Sequence, residues 1–322
     1  MATIGLWMYR NDGGDEIVAA LSAALAQRGH TVVDNCDLPR CIVMNGQVFN
    51  PDGVNLSELD LLYHMNVDEQ TEHQMEVLGA VERSGVTLVN AFQSFMKARD
   101  KFVTNQLLRQ AGLSVPASAL VPTHTLGPVR KLFDQWGKLL VKSRFGHGGK
   151  AIALFENYEQ FVDFSHFTAS SVPNYYLEQF IHFGEHDYRV ELLDGQVIGG
   201  YARTRTHLFK TNVSAGGKMT PMPPSHEHQE LARAAAATLG ITTTIVDIIR
   251  CVDSGQDYIT EVNHIMGIFV EAGMRRSPKS VVKAIDPSFA YDQRKLQMLT
   301  DYLAATAERA SRARARAQRE PT

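Results

Sequence analysis

Asp247, Glu261 and Asn263 are the residues of this chain whose types and spacing point most directly to chemistry. Glu261 and Asn263 lie one residue apart in Tyr258-Ile-Thr-Glu-Val-Asn-His264, so in an extended strand both side chains face the same way. Asp247 sits in a second β-branched run, Val246-Asp-Ile-Ile249. Three oxygen-bearing side chains converging from two neighbouring strands suit Mg2+, which takes hard oxygen ligands and leaves positions for water and substrate phosphates. The same pattern also describes a buried hairpin with polar residues on its solvent face.

Upstream lie groups that a polyphosphate needs. Gly146-His147-Gly148-Gly149 falls between two apolar strands, Lys138–Lys142 and Ala151–Phe155, so it is a flap between strands and neither a Walker loop nor a dinucleotide fingerprint. Its glycines allow backbone amides to close around phosphate oxygens, although a structural hairpin turn has the same composition. Lys142 adds a cation four residues before the flap. Glu178-Gln179-Phe180-Ile181 offers backbone polar groups beside apolar side chains, which suits the edge and face of an adenine and equally an ordinary buried strand. Asp187-Tyr-Arg189 and Arg203-Thr-Arg205 set cations on successive antiparallel strands, where an arginine fork binds an oxyanion bidentately or makes a surface salt bridge. Lys210-Thr211-Asn212, ahead of Gly216-Gly217, reads as a polar loop that could cover a site.

The elements that must position these groups follow from periodicity. Thr3–Met8, a helix over 15–28, Thr31–Val33, Leu59–Tyr63, a helix over 69–83 and Val86–Val89 make a small parallel-sheet lobe. A helix over 98–110 and another over 128–136 precede the flap; strands over 175–181, 187–193 and 196–201, with a hairpin at Asp194-Gly195, make a mostly antiparallel sheet. A helix over 229–239, the two ligand-bearing strands and a last helix from about 290 complete an α/β chain whose later part is α+β.

Composition narrows the classes. With 322 residues, 44% of them hydrophobic, and a net charge of −3, the chain can bury a large core, and neither a general nucleic-acid binder nor a membrane-surface protein is expected. No apolar run approaches the ~20 residues of a membrane span, and the opening residues carry no signal-peptide pattern, so a cytoplasmic protein is expected. Cys36, Cys41 and Cys251 make neither a disulfide framework nor a zinc site, and no Gly-x-Ser-x-Gly elbow of a serine hydrolase occurs.

Taken in order, Ala98-Arg-Asp-Lys101, Val141-Lys142, the flap, Glu178–Ile181, Asp187-Tyr-Arg189, Lys210-Thr-Asn212, Asp247 and Glu261-Val-Asn263 resemble the ATP-grasp superfamily, and within it the RimK/LysX group of amino-acid ligases over about residues 75–285. The resemblance implies an ATP-grasp fold with an N-terminal pre-ATP-grasp lobe over 1–92, a central lobe over 93–175 and a C-terminal lobe over 176–322. It implies that Lys101 and Lys142 contact ATP phosphates, that 178–181 hold adenine and that Asp187 lies by the ribose. Lys210, Thr211 and Asn212 match the family's nucleotide loop, and Asp247, Glu261 and Asn263 its magnesium ligands, with manganese as an alternate ion. Two departures stand out. Asn263-His-Ile-Met266 replaces the usual Asn-x-Ser-Pro-Gly and is closer to the lysine-biosynthesis ligases, so substrate identity does not carry over; Gln179 replaces the usual hinge Glu.

The expected reaction joins a carboxylate to an amine through an acyl phosphate, releasing ADP and phosphate, with an amino acid as one substrate and a peptide or carrier protein as a further acceptor. Arg189 and Arg203 are the candidates for holding the transferred phosphate and the later oxyanion. Substrate binding is expected around 63–68 and 264–276. A non-catalytic, synapsin-like ATP-binding protein is the alternative, and the family implies a dimer or tetramer. Arg309, Arg312, Arg314, Arg316 and Arg319 form either a solvated helix end or a dock for an acidic partner.

Overall fold

The computed structural model describes residues 1–8, 10, 14–65, 71–146, 151–212, 216–220, 222–266 and 293–319. The chain opens with β1 (Thr3–Trp7), α1 (Gly14–Gln27), β2 (Thr31–Val33), a hairpin of β3 (Ile42–Met44) and β4 (Gln47–Phe49), β5 (Leu61–His64), α2 (Glu72–Arg83) and β6 (Thr87–Val89). β2, β1, β5 and β6 form an all-parallel sheet in that order. Strands buried on both faces read as continuous apolar runs rather than alternating ones, and all four residues of β5 are buried. The β3–β4 hairpin, unanticipated from the pattern, turns on Asn45-Gly46 with φ of 52° and 78°.

Two antiparallel sheets follow. α3 (Phe92–Arg99), α4 (Lys101–Gln110) and α5 (Gly127–Trp136) accompany β7 (Ser118–Pro122), β8 (Leu139–Lys142), β9 (Ile152–Phe155) and, beyond α6 (Tyr158–Thr168), β10 (Asn174–Gln179), which form a sheet in the order β7-β10-β8-β9. The last sheet, β13-β12-β11-β14-β15, is built from β11 (Phe183–Leu193), β12 (Gln196–Thr204), β13 (Lys218–Thr220), β14 (Thr243–Cys251) and β15 (Asp257–Asn263). The expected Asp194-Gly195 turn joins β11 to β12 with φ of 50° and 75°. One face of this sheet is apolar: Val190, Leu192, Val246, Ile248 and Val262 pack against α7 (His226–Leu239). The opposite face is therefore free to carry the charged set.

The single helix expected over 98–110 is two helices. Asp100 is extended (φ −101°, ψ 103°) and caps α4, its carboxylate accepting from the amides of Phe102 and Val103 at 3.1 and 3.3 Å. A carboxylate at an N-cap satisfies amides that a continuous helix would not leave exposed, and it complements the helix dipole. The break places Lys101 at the first residue of α4.

The final helix, α8 (Gln293–Arg319), lies with the N-terminal lobe: Leu299, Leu303, Ala304 and Ala307 join the cluster of Ile4, Leu6 and Leu21. Arg314 donates to the carbonyls of Ser57 and Leu59, both at 2.6 Å. That arginine of the basic run therefore serves the fold, while Arg312 and Arg316 are exposed. Lys295, also on α8, makes a fully buried ion pair with Glu191 of β11.

Asn90, fully buried just beyond β6, joins the first lobe to the last sheet. Its side-chain oxygen accepts from the Thr242 and Thr243 amides and the Thr242 hydroxyl at 2.8, 2.8 and 2.9 Å. Its nitrogen donates to the Thr243 carbonyl and hydroxyl and to the His264 carbonyl at 2.9, 3.0 and 3.2 Å. Asn90→Ala would leave several buried donors and acceptors without partners, and a loss of about 3 kcal/mol is expected in urea unfolding.

Candidate active site

Between the two antiparallel sheets lies a cavity of about 280 Å3. It is lined by Lys101, Lys142, Gly146, Glu178, Gln179, Phe180, Ile181, Asp187, Arg203, Lys210, Thr211, Asn212, Asp247 and Glu261 among the residues singled out from the sequence, which thus come together from distant segments. His147, Gly148 and Gly149 lie outside the described residues, as do 66–68 and 267–276 of the expected substrate region. Asn263 and Arg189 are not on the cavity wall. Asn263 is two residues beyond Glu261 on the same strand, its amide donating to the Ile245 carbonyl at 3.1 Å. Arg189 stands beside Asp247, between β11 and β14.

Strand register explains the charged face. Asp187 is opposite Arg203, Arg189 opposite Tyr201 and Asp247, and Asp247 opposite Glu261. Direct cross-strand partners on one face touch, so four neighbouring strands place acids and bases alternately. Arg189 grips Asp247 with two bonds of 2.8 and 3.1 Å, and Arg203 adds a third at 2.9 Å. Arg203 also pairs bidentately with Asp187, which accepts the Thr211 hydroxyl at 2.6 Å. Burial opposes the Asp247 charge, but the two guanidinium groups outweigh it and hold the carboxylate below its ordinary range. Burial likewise opposes the Arg189 and Arg203 charges, yet Asp247, with Asp187 for Arg203, keeps both protonated beyond their usual values.

The opposite wall repeats the device. Lys142 abuts Glu178, 2% exposed, and the Tyr176 hydroxyl donates to the same carboxylate at 2.5 Å. Lys101 lies 3.2 Å from Glu261 and donates to the Gly146 carbonyl. Arg144 holds Asp100 bidentately at 2.6 to 2.9 Å, fixing the start of α4. This clasp, the Tyr176–Glu178 bond and the Asn90 hub were not anticipated; of the three, only Asp100, a capping type ahead of a helix, carries a local sequence signal. At the far end Leu140, Phe180, Ile181, Phe183 and Ile249 supply apolar walls. On the side of the first lobe His64, Phe95 and His264 stack edge to face at 5.1 and 4.6 Å.

The donor set fits a nucleotide and a hard cation. Two carboxylates and an amide from the adjacent strands β14 and β15 offer oxygen ligands for magnesium, incomplete without phosphate or water. Apolar walls suit a base, and cations between them and the acids suit phosphates. Asp247 lies below its ordinary pKa of 3.8, so its ionisation adds stability above that pH, which is lost as pH falls through its lowered value. Asp247→Asn is expected to cost about 3 kcal/mol at pH 7 by leaving two buried arginines underpaired. In urea titrations the gap from the wild type should begin to narrow below pH 3.8, where the carboxylate of the unfolded chain protonates, and close further as pH falls through the lowered native value.

Comparison with known proteins places this geometry. Residues 98–273 match the RimK-like ATP-grasp domain. N-acetylaspartylglutamate synthase A of Homo sapiens is 29% identical over 203 residues, covering 62% of this chain and 51% of that protein. Tetrahydromethanopterin:alpha-L-glutamate ligase of Methanosarcina acetivorans is 26% identical over 219 residues, covering 63% of this chain and 67% of that protein. The chain thus spans about half the length of the human relative. The solved structure of ATP-grasp ligase PsnB complexed with minimal precursor superposes with a TM-score of 0.64 at 19% identity, over 95% of this chain and 99% of the other. Among the described residues no helix is long and apolar enough to cross a membrane.

Proposed function

The chain belongs to the RimK-like ATP-grasp family, and from that premise we propose that it joins a carboxylate to an amine at the expense of ATP. The observation that carries this reading is the one cavity that Lys101, Lys142 and Arg203 line together with Asp247 and Glu261. Binding ATP alone needs the base and the cations; adjoining paired carboxylates serve phosphoryl transfer.

In this reading Gln179, Phe180 and Ile181 receive the adenine, with Asp187 toward the ribose. Lys210, Thr211 and Asn212 border the nucleotide, and Lys101, Lys142 and the 146–149 glycine segment hold its phosphates. Asp247, Glu261 and Asn263 would hold magnesium or manganese, which when bound neutralises β- and γ-phosphate charge. A substrate carboxylate oxygen attacks the γ-phosphorus and ADP leaves. The amine then attacks the acyl carbon of the acyl phosphate, and phosphate departs with the carboxylate's oxygen. Arg203, on the wall, is placed to stabilise the transferring phosphate, because preorganised donors act most on charge that develops in the transition state. Arg189, assigned the same task from sequence, instead keeps Asp247 aimed and charged.

The human and archaeal relatives are named for glutamate-containing products and substrates, and PsnB was solved with a peptide precursor. They support an amino acid as one partner and a small acid or a peptide as the other. A homo-oligomer and a cytoplasmic location remain part of this proposal. Incubating the protein with Mg-ATP and pooled amino acids should give ADP, phosphate and a new amide mass, all lost in Glu261→Ala. ADP formation that no amino acid or peptide stimulates would count against ligation.

A further inference from the structure

Each carboxylate of the candidate metal site already holds a cation of the protein itself. Glu261 is 3.2 Å from Lys101, Asp247 is held by Arg189 and Arg203, and the neighbouring Asp187 by Arg203 and Thr211. Asp187, Asp247 and Glu261 are matched there by Lys101, Arg189 and Arg203, so the formal charge of the group is zero. The next cation, Lys142, is matched by Glu178. A divalent ion arriving alone meets no net attraction and must compete with a charge at both carboxylate ligands. Among the described residues no three His, Cys, Asp or Glu side chains are grouped closely enough to hold a metal ion.

A polyphosphate changes both terms. Its negative oxygens draw cations off the carboxylates, and they complete the oxygen shell that the protein leaves short. Of the three cations, Lys101 is the one suited to exchange. Arg189 and Arg203 are each fixed by several directed bonds to buried acids, whereas among the described residues Lys101 makes a single ion pair and one bond to the Gly146 carbonyl. Its ammonium is a compact charge on a flexible stem, and the capped start of α4 anchors its backbone.

We propose that Lys101 is the internal counter-ion of the metal site: it competes with the divalent cation for Glu261, and a polyphosphate relieves that competition by taking the lysine. Metal affinity is thereby made conditional on nucleotide, and by linkage the metal raises nucleotide affinity by the same factor. This rests on the Mg-ATP reading of the cavity and adds a regulation that the reaction itself does not require.

The test measures Mn2+ binding by calorimetry and by the paramagnetic resonance of free Mn2+, with and without a non-hydrolysable ATP analogue. Wild-type protein should bind Mn2+ at least about tenfold more tightly with the analogue than without it, within the usual range of coupling between sites. Lys101→Met should bind Mn2+ without the analogue about tenfold more tightly than the wild type does, and Lys101→Arg, which keeps the charge, should not. Lys101→Gln repeats the test should the methionine variant fold poorly. Equal wild-type Mn2+ affinity with and without the analogue, or no gain in a folded neutral variant, overturns the proposal and leaves the ligase reading intact. Failure of wild-type protein to bind Mn2+ even with the analogue overturns both.

Discussion

The site depends on charges that are buried only because opposite charges on adjacent strands bury them in pairs. Asp187, Arg203 and Asp247 are each no more than 4% exposed, and an isolated ion at such a depth would cost far more than one hydrogen bond returns. Antiparallel register solves this by setting Asp187 across from Arg203 and Arg189 across from Asp247. Pairing lets a folded domain keep a concentrated set of acids and bases beside a cavity without unfolding around it. The apolar residues that alternate with them, packed against α7, provide the burial that holds the strands in register.

The same pairing prepares the chemistry. Phosphoryl transfer asks the protein mainly to position groups and stabilise charge, and charges already oriented need little reorganisation when phosphates arrive. Lys101 at the head of α4, Lys142 at the end of β8 and Arg203 on β12 approach the cavity from three separate elements. Glu261, the partner of Lys101, and Asp247, a partner of Arg203, are themselves candidate metal ligands. On the proposed reading, binding is an exchange of counter-ions, in which phosphate oxygens take the basic groups and the metal takes the acids. The Asn90 hub and the Lys295–Glu191 pair tie this sheet to the first lobe and the last helix by buried polar bonds.

The sequence made much of this legible because its signals are local. Glu261 and Asn263 one residue apart, the glycine segment after a strand, and Asp194-Gly195 between two apolar runs each act through neighbours in the chain. What stayed hidden is long-range pairing. Nothing near Asp100 names Arg144 as its partner, nothing near Asn90 names Thr242, Thr243 and His264, and Lys142 does not announce Glu178. The Arg189 partner was hidden for the same reason: its type suits a phosphate, and only cross-strand register sets it against Asp247. The helix break at Asp100 was readable from capping preference, yet no glycine or proline separates the two helical stretches.

The central claim is that bond formation passes through a phosphorylated carboxylate, and the oxygen content of the released phosphate tests it most directly. With unlabelled substrates turned over in H2 18O, the account requires phosphate without solvent oxygen, because its fourth oxygen comes from the substrate carboxylate. One atom of 18O in each phosphate, released in step with product, would mean that water attacks the γ-phosphate and would contradict it.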